Sequence, residues 1–255
     1  MLKVYNPSPA LADYICCFWS LETPCAGHTE LVYPSGKIQL IFHYGKPFRD
    51  RDSSGNEFLQ PQFAVCGQKT SYSHVTAEKN SGMIAAVLKT ESASALFRLP
   101  LNELTDYTVS MTEIFKSWKN SESIFCDCAD DLSGIRVIEK FLIKLIGKHR
   151  SCHNYFVKSC VEEIRHNRGL SLPFSSMENF NLSERSLQRI FKDHVGISPK
   201  KFADIMRLEN SIDLFRQGKT LTDVCYESGY YDQPHFIKSF RRFTGYTPSE
   251  FSSLV

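Results

Sequence analysis

The sequence lacks any apolar run long enough to cross a membrane. The longest uninterrupted run, Met83 to Leu88, is far shorter than the roughly 20 residues that a transmembrane helix needs. The N-terminus also lacks the apolar core of a secretory signal, because Asp13 and two prolines interrupt its apolar residues. We therefore expect a cytoplasmic protein without a membrane partner.

The sequence motifs of common enzymes are also missing. No Gly-x-Ser-x-Gly elbow, phosphate-binding loop or dinucleotide fingerprint occurs, and no two histidines are separated by a single residue. We therefore predict no catalytic residues, no cofactor and no enzyme activity.

The cysteines do not form the pattern of a disulfide framework. Their number, nine, is odd, and Cys16 and Cys17 are adjacent. We expect reduced thiols, as in a cytosol. The best cluster for a metal is His149, Cys152, His153 and Cys160. Because it lacks the paired two-residue cysteine spacing of a zinc module, we predict no metal site.

The chain has little excess charge of either sign. Its 30 lysines and arginines face 28 aspartates and glutamates, which leaves a net charge of +2. Nucleic-acid binders often carry a stronger positive excess. Composition alone therefore does not indicate DNA binding, and any such function must come from local patterns.

One local pattern occurs twice in the C-terminal part. "NLSERSLQRIFKDHVGISPKKF" begins at Asn181, and "GYYDQPHFIKSFRRFTGYTPSEF" begins at Gly229. At a constant offset of 49 residues, the matched pairs include Leu187 with Phe236, Phe191 with Phe240, Gly196 with Gly245 and Pro199 with Pro248. Two copies are too few for a solenoid, so the pattern indicates two copies of one functional unit.

Each copy predicts a helix-turn-helix unit. Ser183 and Asp232 are capping residues at the start of an apolar helical stripe, and a glycine follows each helix where a left-handed cap is common. The outer face of the first helix carries Arg185, Ser186, Gln188, Arg189 and Lys192. The outer face of the second carries Gln233, His235, Ile237, Lys238, Arg241 and Arg242. Arginine and amide side chains suit base edges and phosphates, so these faces predict binding to double-stranded DNA.

These two stretches resemble the helix-turn-helix motifs of the AraC/XylS family of bacterial transcription regulators. The resemblance implies two recognition helices, joined by a long helix at about 199–216, that read adjacent major-groove segments near a promoter. Carried across by position, it assigns Arg185, Gln188 and Arg189 to the first recognition helix and Gln233, Pro234 and Lys238 to the second. It also implies RNA polymerase and a second copy of the chain as partners. The first unit departs from the family at Ser176, where alanine is usual, and at Asn181, where glycine is usual.

The N-terminal part of the sequence predicts mainly β-strands. "ELVYPSGKIQLIFHYG" has a turn at Gly36, followed by apolar residues from Ile38 that alternate with polar ones. From about Ser92 the pattern becomes helical. We predict an α+β protein, with a β-rich domain over residues 1–150 that ends in helices and an all-α DNA-binding domain over residues 151–255.

Residues 1–110 more distantly resemble the cupin-like barrels that act as sensor domains in this family. The resemblance implies binding of a small effector or dimerisation. The candidate effector-binding residues are Gln39, His43, Tyr72 and His74. Two alternatives remain open: a cupin-type metalloenzyme fused to a DNA-binding module, with ligands from His28, Glu30, His43 and His74, and an interaction protein that no longer binds DNA. The cationic helix faces argue against the second.

Overall fold

Two antiparallel sheets form the N-terminal part of the chain, in a computed structural model that describes residues 2–23, 27–148 and 155–253. Within these ranges the strands are β1 (Leu2–Tyr5), β2 (Ile15–Thr23), β3 (His28–Val32), β4 (Gln39–His43), β5 (Arg49–Asp52), β6 (Glu57–Leu59), β7 (Phe63–Cys66), β8 (Ser73–Ala77), β9 (Ser81–Leu88) and β10 (Thr108–Ser110). One sheet has the order β1-β2-β9-β4-β7-β10 and the other β3-β8-β5-β6.

Helices make up most of the rest. They are α1 (Met111–Ile114), α2 (Lys119–Cys126), α3 (Asp131–Lys148), α4 (Tyr155–His166), α5 (Phe174–Asn179), α6 (Glu184–Val195), α7 (Pro199–Arg216), α8 (Leu221–Glu227), α9 (Gln233–Thr244) and α10 (Pro248–Ser252). Short 3-10 turns at Ala93–Leu96 and Leu101–Leu104 precede them. The predicted α+β class, with a β-rich N-terminal region and an all-α C-terminal region, is confirmed.

Strand β4 does not alternate between buried and exposed residues as the sequence predicted. Leu40, Ile41, Phe42 and His43 are all buried. The reason is that β4 lies between β7 and β9 in the middle of the larger sheet, and both of its faces are covered. Leu40 and Phe42 belong to the core that includes α3, whereas Ile41 belongs to a separate cluster on the other face.

Helix α3 packs inside its own domain. Ile138 and Leu142 are fully buried in the cluster that also contains Trp118 and the inward face of the larger sheet. The apolar face of α3 therefore packs within the β-rich region.

The two helix-turn-helix units share one aromatic core. Phe191, Phe236 and Phe240 are fully buried, and Phe236 and Phe240 lie in edge contact with ring centroids 5.6 Å apart. Leu31 and Tyr33, at the end of β3, also pack against this core. The C-terminal helices therefore pack directly on the β-rich region.

Candidate nucleic-acid interface

Helix α6 is the outer helix of the first unit, and side chains define both of its ends. At its start, Ser183 Oγ accepts a hydrogen bond from the backbone N–H of Ser186 at 3.3 Å. At its end, Gly196 adopts a φ of +98° and its N–H binds the Lys192 carbonyl. The Ser186 hydroxyl lies 3.0 Å from Ser183 Oγ. This predicted contact residue is therefore already engaged in the helix cap.

The outer face of α6 presents the predicted cationic residues to solvent. Arg185, Arg189 and Lys192 are exposed, and Gln188 is half-buried. The inward side chains are Leu187, Phe191 and Val195, at most 1% exposed. The amphipathic pattern thus separates a packing face from a face that is free to meet DNA.

Helix α9 begins and ends in the same way. Asp232 Oδ1 accepts a hydrogen bond from the His235 N–H at 2.7 Å, and Gly245 closes the helix with a φ of +81°. Pro234 lies in the first turn, where no helical hydrogen bond is lost. The exposed outer residues are Pro234, His235, Lys238, Arg241 and Arg242, and Gln233 and Ile237 are half-buried.

Two side chains of α9 have neighbours that the sequence did not reveal. Gln233 Nε2 donates to Thr222 Oγ1 on α8 at 3.2 Å, so its amide group is partly occupied. The Arg242 guanidinium lies 4.8 Å from the centroid of the Phe243 ring, and the Lys201 ammonium lies 5.1 Å from the same centroid. Burial and the nearby Arg242 charge lower the pKa of Lys201. Two cations therefore lie against one ring, and the Asp204 and Asp106 carboxylates act on Lys201 as opposite charges.

The departures of the first unit from the family pattern have a structural explanation. Asn181 adopts a φ of +50°, close to the +72° of Gly229 at the matching turn, so asparagine supplies the left-handed conformation. Ser176 is 2% exposed, and its N–H and hydroxyl both donate to the Glu163 carboxylate, at 2.8 and 2.6 Å. The first unit therefore keeps its turn, and α4 holds it in place.

The C-terminal ends of both outer helices contact the β-rich region. His194 Nδ1 lies 2.9 Å from Ser94 Oγ, and the Thr105 hydroxyl donates to the carbonyl of Gly196. A Cβ atom built on Gly245 would lie 2.8 Å from Tyr72 Cζ. The ends that the repeat places in equivalent positions are thus both covered by one domain.

The four candidate effector-binding residues do not form one group. Gln39 lines a cavity of about 660 Å³ between the two sheets. His43 is fully buried beside Gln60, and burial lowers the pKa of its imidazole to about 4. Tyr72 contacts Gly245, and His74 packs edge-on against Tyr72 with ring centroids 5.7 Å apart. The structure thus brings one of the four to the cavity.

Sequence reasoning missed other polar residues of this cavity. Asp50, Gln60 and Lys69 line it together with Trp19 and Met83. Asp50 sits in the charged stretch "FRDRDS", which reads as a solvated surface strand. Its 1% exposure follows from strand alternation, because β5 pairs with β8 and turns Asp50 inward.

The metal ligands of the alternative hypothesis do not converge. His28 Nε2 lies 2.5 Å from Glu30 Oε1, but within residues 2–23, 27–148 and 155–253 no three histidine, cysteine or acidic side chains group as a metal site. Of the cysteine–histidine cluster, His149, Cys152 and His153 lie outside the described residues.

No helix in the described part of the chain is long and apolar enough to span a membrane.

Comparisons with known proteins match the two regions separately. A family described as a helix-turn-helix domain matches residues 177–253, and a domain of unknown function (DUF6597) matches residues 3–110. The transcriptional activator RhaS of Enterobacter sp. (strain 638) is 36% identical over 72 residues, 28% of this chain and 26% of that protein. The C-terminal region thus resembles the AraC-type helix-turn-helix domain of these regulators. RhaS of Escherichia coli O139:H28 is 34% identical over 74 residues, 29% of this chain and 27% of its own length.

The AraC-type domain accounts for only part of these relatives, since the chain spans about a quarter of the length of the RhaS proteins that it matches. Among solved structures, ToxT from Vibrio cholerae has a TM-score of 0.50 at 10% identity and covers 100% of this chain and 98% of its own. This likeness shows the shared two-domain fold. The RhaS relatives are transcriptional activators.

Proposed function

We propose that this chain is a sequence-specific transcription regulator that reads two adjacent major-groove segments with α6 and α9. The observation that carries the proposal is the 49-residue repeat, which produces two outer helices with equivalent caps and exposed cationic faces. Helix α7, with 18 residues, is about 27 Å long and joins them. Successive major-groove faces recur about every 34 Å along a duplex, so the two helices suit neighbouring faces.

The contact residues that we propose fall into two roles. Arg185, Gln188 and Arg189 on α6 have the groups that form paired hydrogen bonds with guanine or adenine. The second role is binding of phosphates. On α9, Lys238 and Arg241 are exposed, and the Arg242 guanidinium lies beside the Phe243 ring. The remaining α6 and α9 residues predicted from sequence are Ser186, Lys192, Gln233, Pro234, His235 and Ile237, which line the same faces.

We further propose that residues 1–150 form a sensor domain that governs the DNA-binding domain of residues 151–255. The contacts of Ser94, Thr105 and Tyr72 with the ends of α6 and α9 support this, because a shift in that region would alter the relative position of the two helices. Control by a small effector or by dimerisation, and contact with RNA polymerase in the cytoplasm, belong to the same proposal.

The direct test is selection from a pool of random duplexes with the full chain. The proposal predicts enrichment of a site with two conserved segments whose centres lie about one helical turn, roughly 10 base pairs, apart. A pool without an enriched site would contradict DNA reading. A single short conserved segment would contradict reading by both helices.

A further inference from the structure

A buried carboxylate in the cavity has an oxygen without a partner. Asp50 is 1% exposed, and its Oδ2 accepts from Lys69 Nζ at 3.1 Å and from Gln60 Nε2 at 3.5 Å. The other oxygen, Oδ1, is buried and has no hydrogen-bond partner among the described residues. Buried polar atoms of native proteins are nearly always paired, so this oxygen needs a donor from elsewhere.

The surroundings of Asp50 restrict the kind of molecule that can supply this donor. The cavity of about 660 Å³ is within the usual range for small-molecule sites. Its wall is mainly apolar, with Trp19, Ile41, Phe48 and Met83. A ligand that fills it therefore needs a largely apolar body, and only a small part of it can be polar.

The charge balance around Asp50 indicates an uncharged donor. Lys69 already forms an ion pair with Oδ2, so the negative charge has its counter-ion. Gln60 Nε2 donates to Oδ2, and Gln60 Oε1, which can only accept, lies 3.1 Å from His43 Nε2. Burial lowers the pKa of His43 to about 4, which keeps this end of the network neutral. A second cation would add uncompensated charge in a buried place, whereas a hydroxyl or N–H group would not.

We propose that the cavity binds a small, mainly apolar, uncharged molecule that donates a hydrogen bond from a hydroxyl or N–H group to Asp50 Oδ1. For its regulatory meaning, this inference rests on the proposed role of residues 1–150 as a sensor. The cavity lies close to the ends of the two outer helices. Its wall includes Cys66, Gly67 and Lys69. In the same segment, Gln68 Cγ lies 3.1 Å from where a Cβ of Gly196 would be, and Tyr72 packs at Gly245.

The test compares three probes with the same apolar body on the full chain. 4-Cyclohexylphenol has the donor, 4-cyclohexylanisole replaces it with a methyl ether, and 4-cyclohexylbenzoate replaces it with an anion. Calorimetric titration should show the phenol binding at least about tenfold more tightly than the anisole, a typical value for one buried hydrogen bond. Asp50→Asn should reduce the phenol preference to less than about twofold. Glu57→Gln, which removes a carboxylate from the exposed neighbouring strand β6, should leave it unchanged.

Each other outcome overturns the proposal. Equal affinity for the phenol and the anisole, or no saturable binding of any probe, would show that Asp50 Oδ1 does not select a donor. Tighter binding of the benzoate would assign the site to anions held by Lys69. A phenol preference that persists in Asp50→Asn would mean that another protein group accepts the hydrogen bond. If that variant does not fold, the wild-type comparison still decides.

The same protein sample separates this inference from the proposed function. Loss of the phenol preference together with an enriched duplex in the selection rejects only the ligand assignment. An intact preference without any enriched duplex rejects only the regulatory function.

Discussion

Three side chains on the outer face of α6 can form paired hydrogen bonds with bases. They are Arg185, Gln188 and Arg189. Arg185 and Arg189 are exposed, and Gln188 is half-buried. Arg242 differs in that its guanidinium lies against Phe243, which Lys201 also contacts. At the scale of single residues, we therefore propose that base reading and phosphate binding belong to different side chains.

Arg189→Ala should weaken binding to the selected duplex by about 1–3 kcal/mol, because an arginine that forks onto a base contributes that much discrimination. Competition titrations with duplexes changed at one position should also show relaxed preference at the contacted base pair. Arg242→Ala is the matched control with the same loss of charge. We expect it to weaken all sequences alike and to flatten the salt dependence. Equal effects of the two variants on preference would contradict this assignment.

His43 should make stability depend on pH in acid. Its pKa is about 4 in the folded chain, against about 6.5 for an exposed histidine, because burial disfavours the charged form. Between these values the unfolded chain binds a proton that the folded chain does not, so stability falls as pH falls from 6.5 to 4. The loss attributable to His43 is about 3 kcal/mol. His43→Gln keeps a donor for Gln60 without titrating, and urea unfolding should show a shallower pH slope. Parallel slopes would refute the claim.

The two outer helices are built alike as elements but differ in what they leave free. Both have an N-terminal side-chain cap and a left-handed glycine at the end. On α6 the amide side chain is Gln188, and on α9 it is Gln233, which donates to Thr222. The two units therefore share a scaffold, while α6 has the better groups for base recognition.

We predict that Gln188→Ala changes base preference more than Gln233→Ala does. Footprinting of both variants on the selected duplex should show altered protection within the α6 segment for the first. The second should show nearly unchanged protection, because Gln233 Nε2 is held by Thr222 Oγ1 at 3.2 Å. The reverse order would mean that the Gln233 side chain breaks its hydrogen bond to Thr222 when DNA binds.

At the scale of the whole molecule, the β-rich region and the AraC-type domain are packed together at several points. Arg165 of α4 lies 3.3 Å from the Glu91 carboxylate and donates to Thr90 Oγ1 at 2.8 Å. Tyr33 packs edge-on against Phe251 with ring centroids 6.2 Å apart. Contacts at both outer helices belong to the same interface, so stability and DNA binding should be linked through it.

Gly245→Ala should report on this interface. A left-handed φ costs alanine about 1 kcal/mol at any such glycine, and the new Cβ would also lie 2.8 Å from Tyr72 Cζ. Gly218→Ala is the matched control, because Gly218 has a φ of +77° and open space around it. In urea unfolding, Gly245→Ala should cost about 1–3 kcal/mol more than Gly218→Ala. Adding Tyr72→Ala should remove that excess, and additive effects would contradict the contact.

The sequence by itself determined the local features of the DNA-binding domain. Caps, stripes and glycines act within one or two turns, so Ser183, Asp232, Gly196 and Gly245 could be assigned from their neighbours in the chain. The repeat then placed the two outer faces. Helix α7 was predicted with its observed bounds, since a Ser-Pro start and the next unit delimit it.

Only the tertiary structure decided which residues of the β-rich region line the cavity and where that region meets the outer helices. Asp50 lies on β5, and Lys69 lies between β7 and β8. The Lys69 ammonium reaches both Asp50 and Ser73, the first residue of β8, which pairs with β5. Tyr72, a candidate effector-binding residue by sequence, packs at Gly245. Such placements depend on strand pairing and domain packing, which are long-range interactions that no local pattern of residue types encodes.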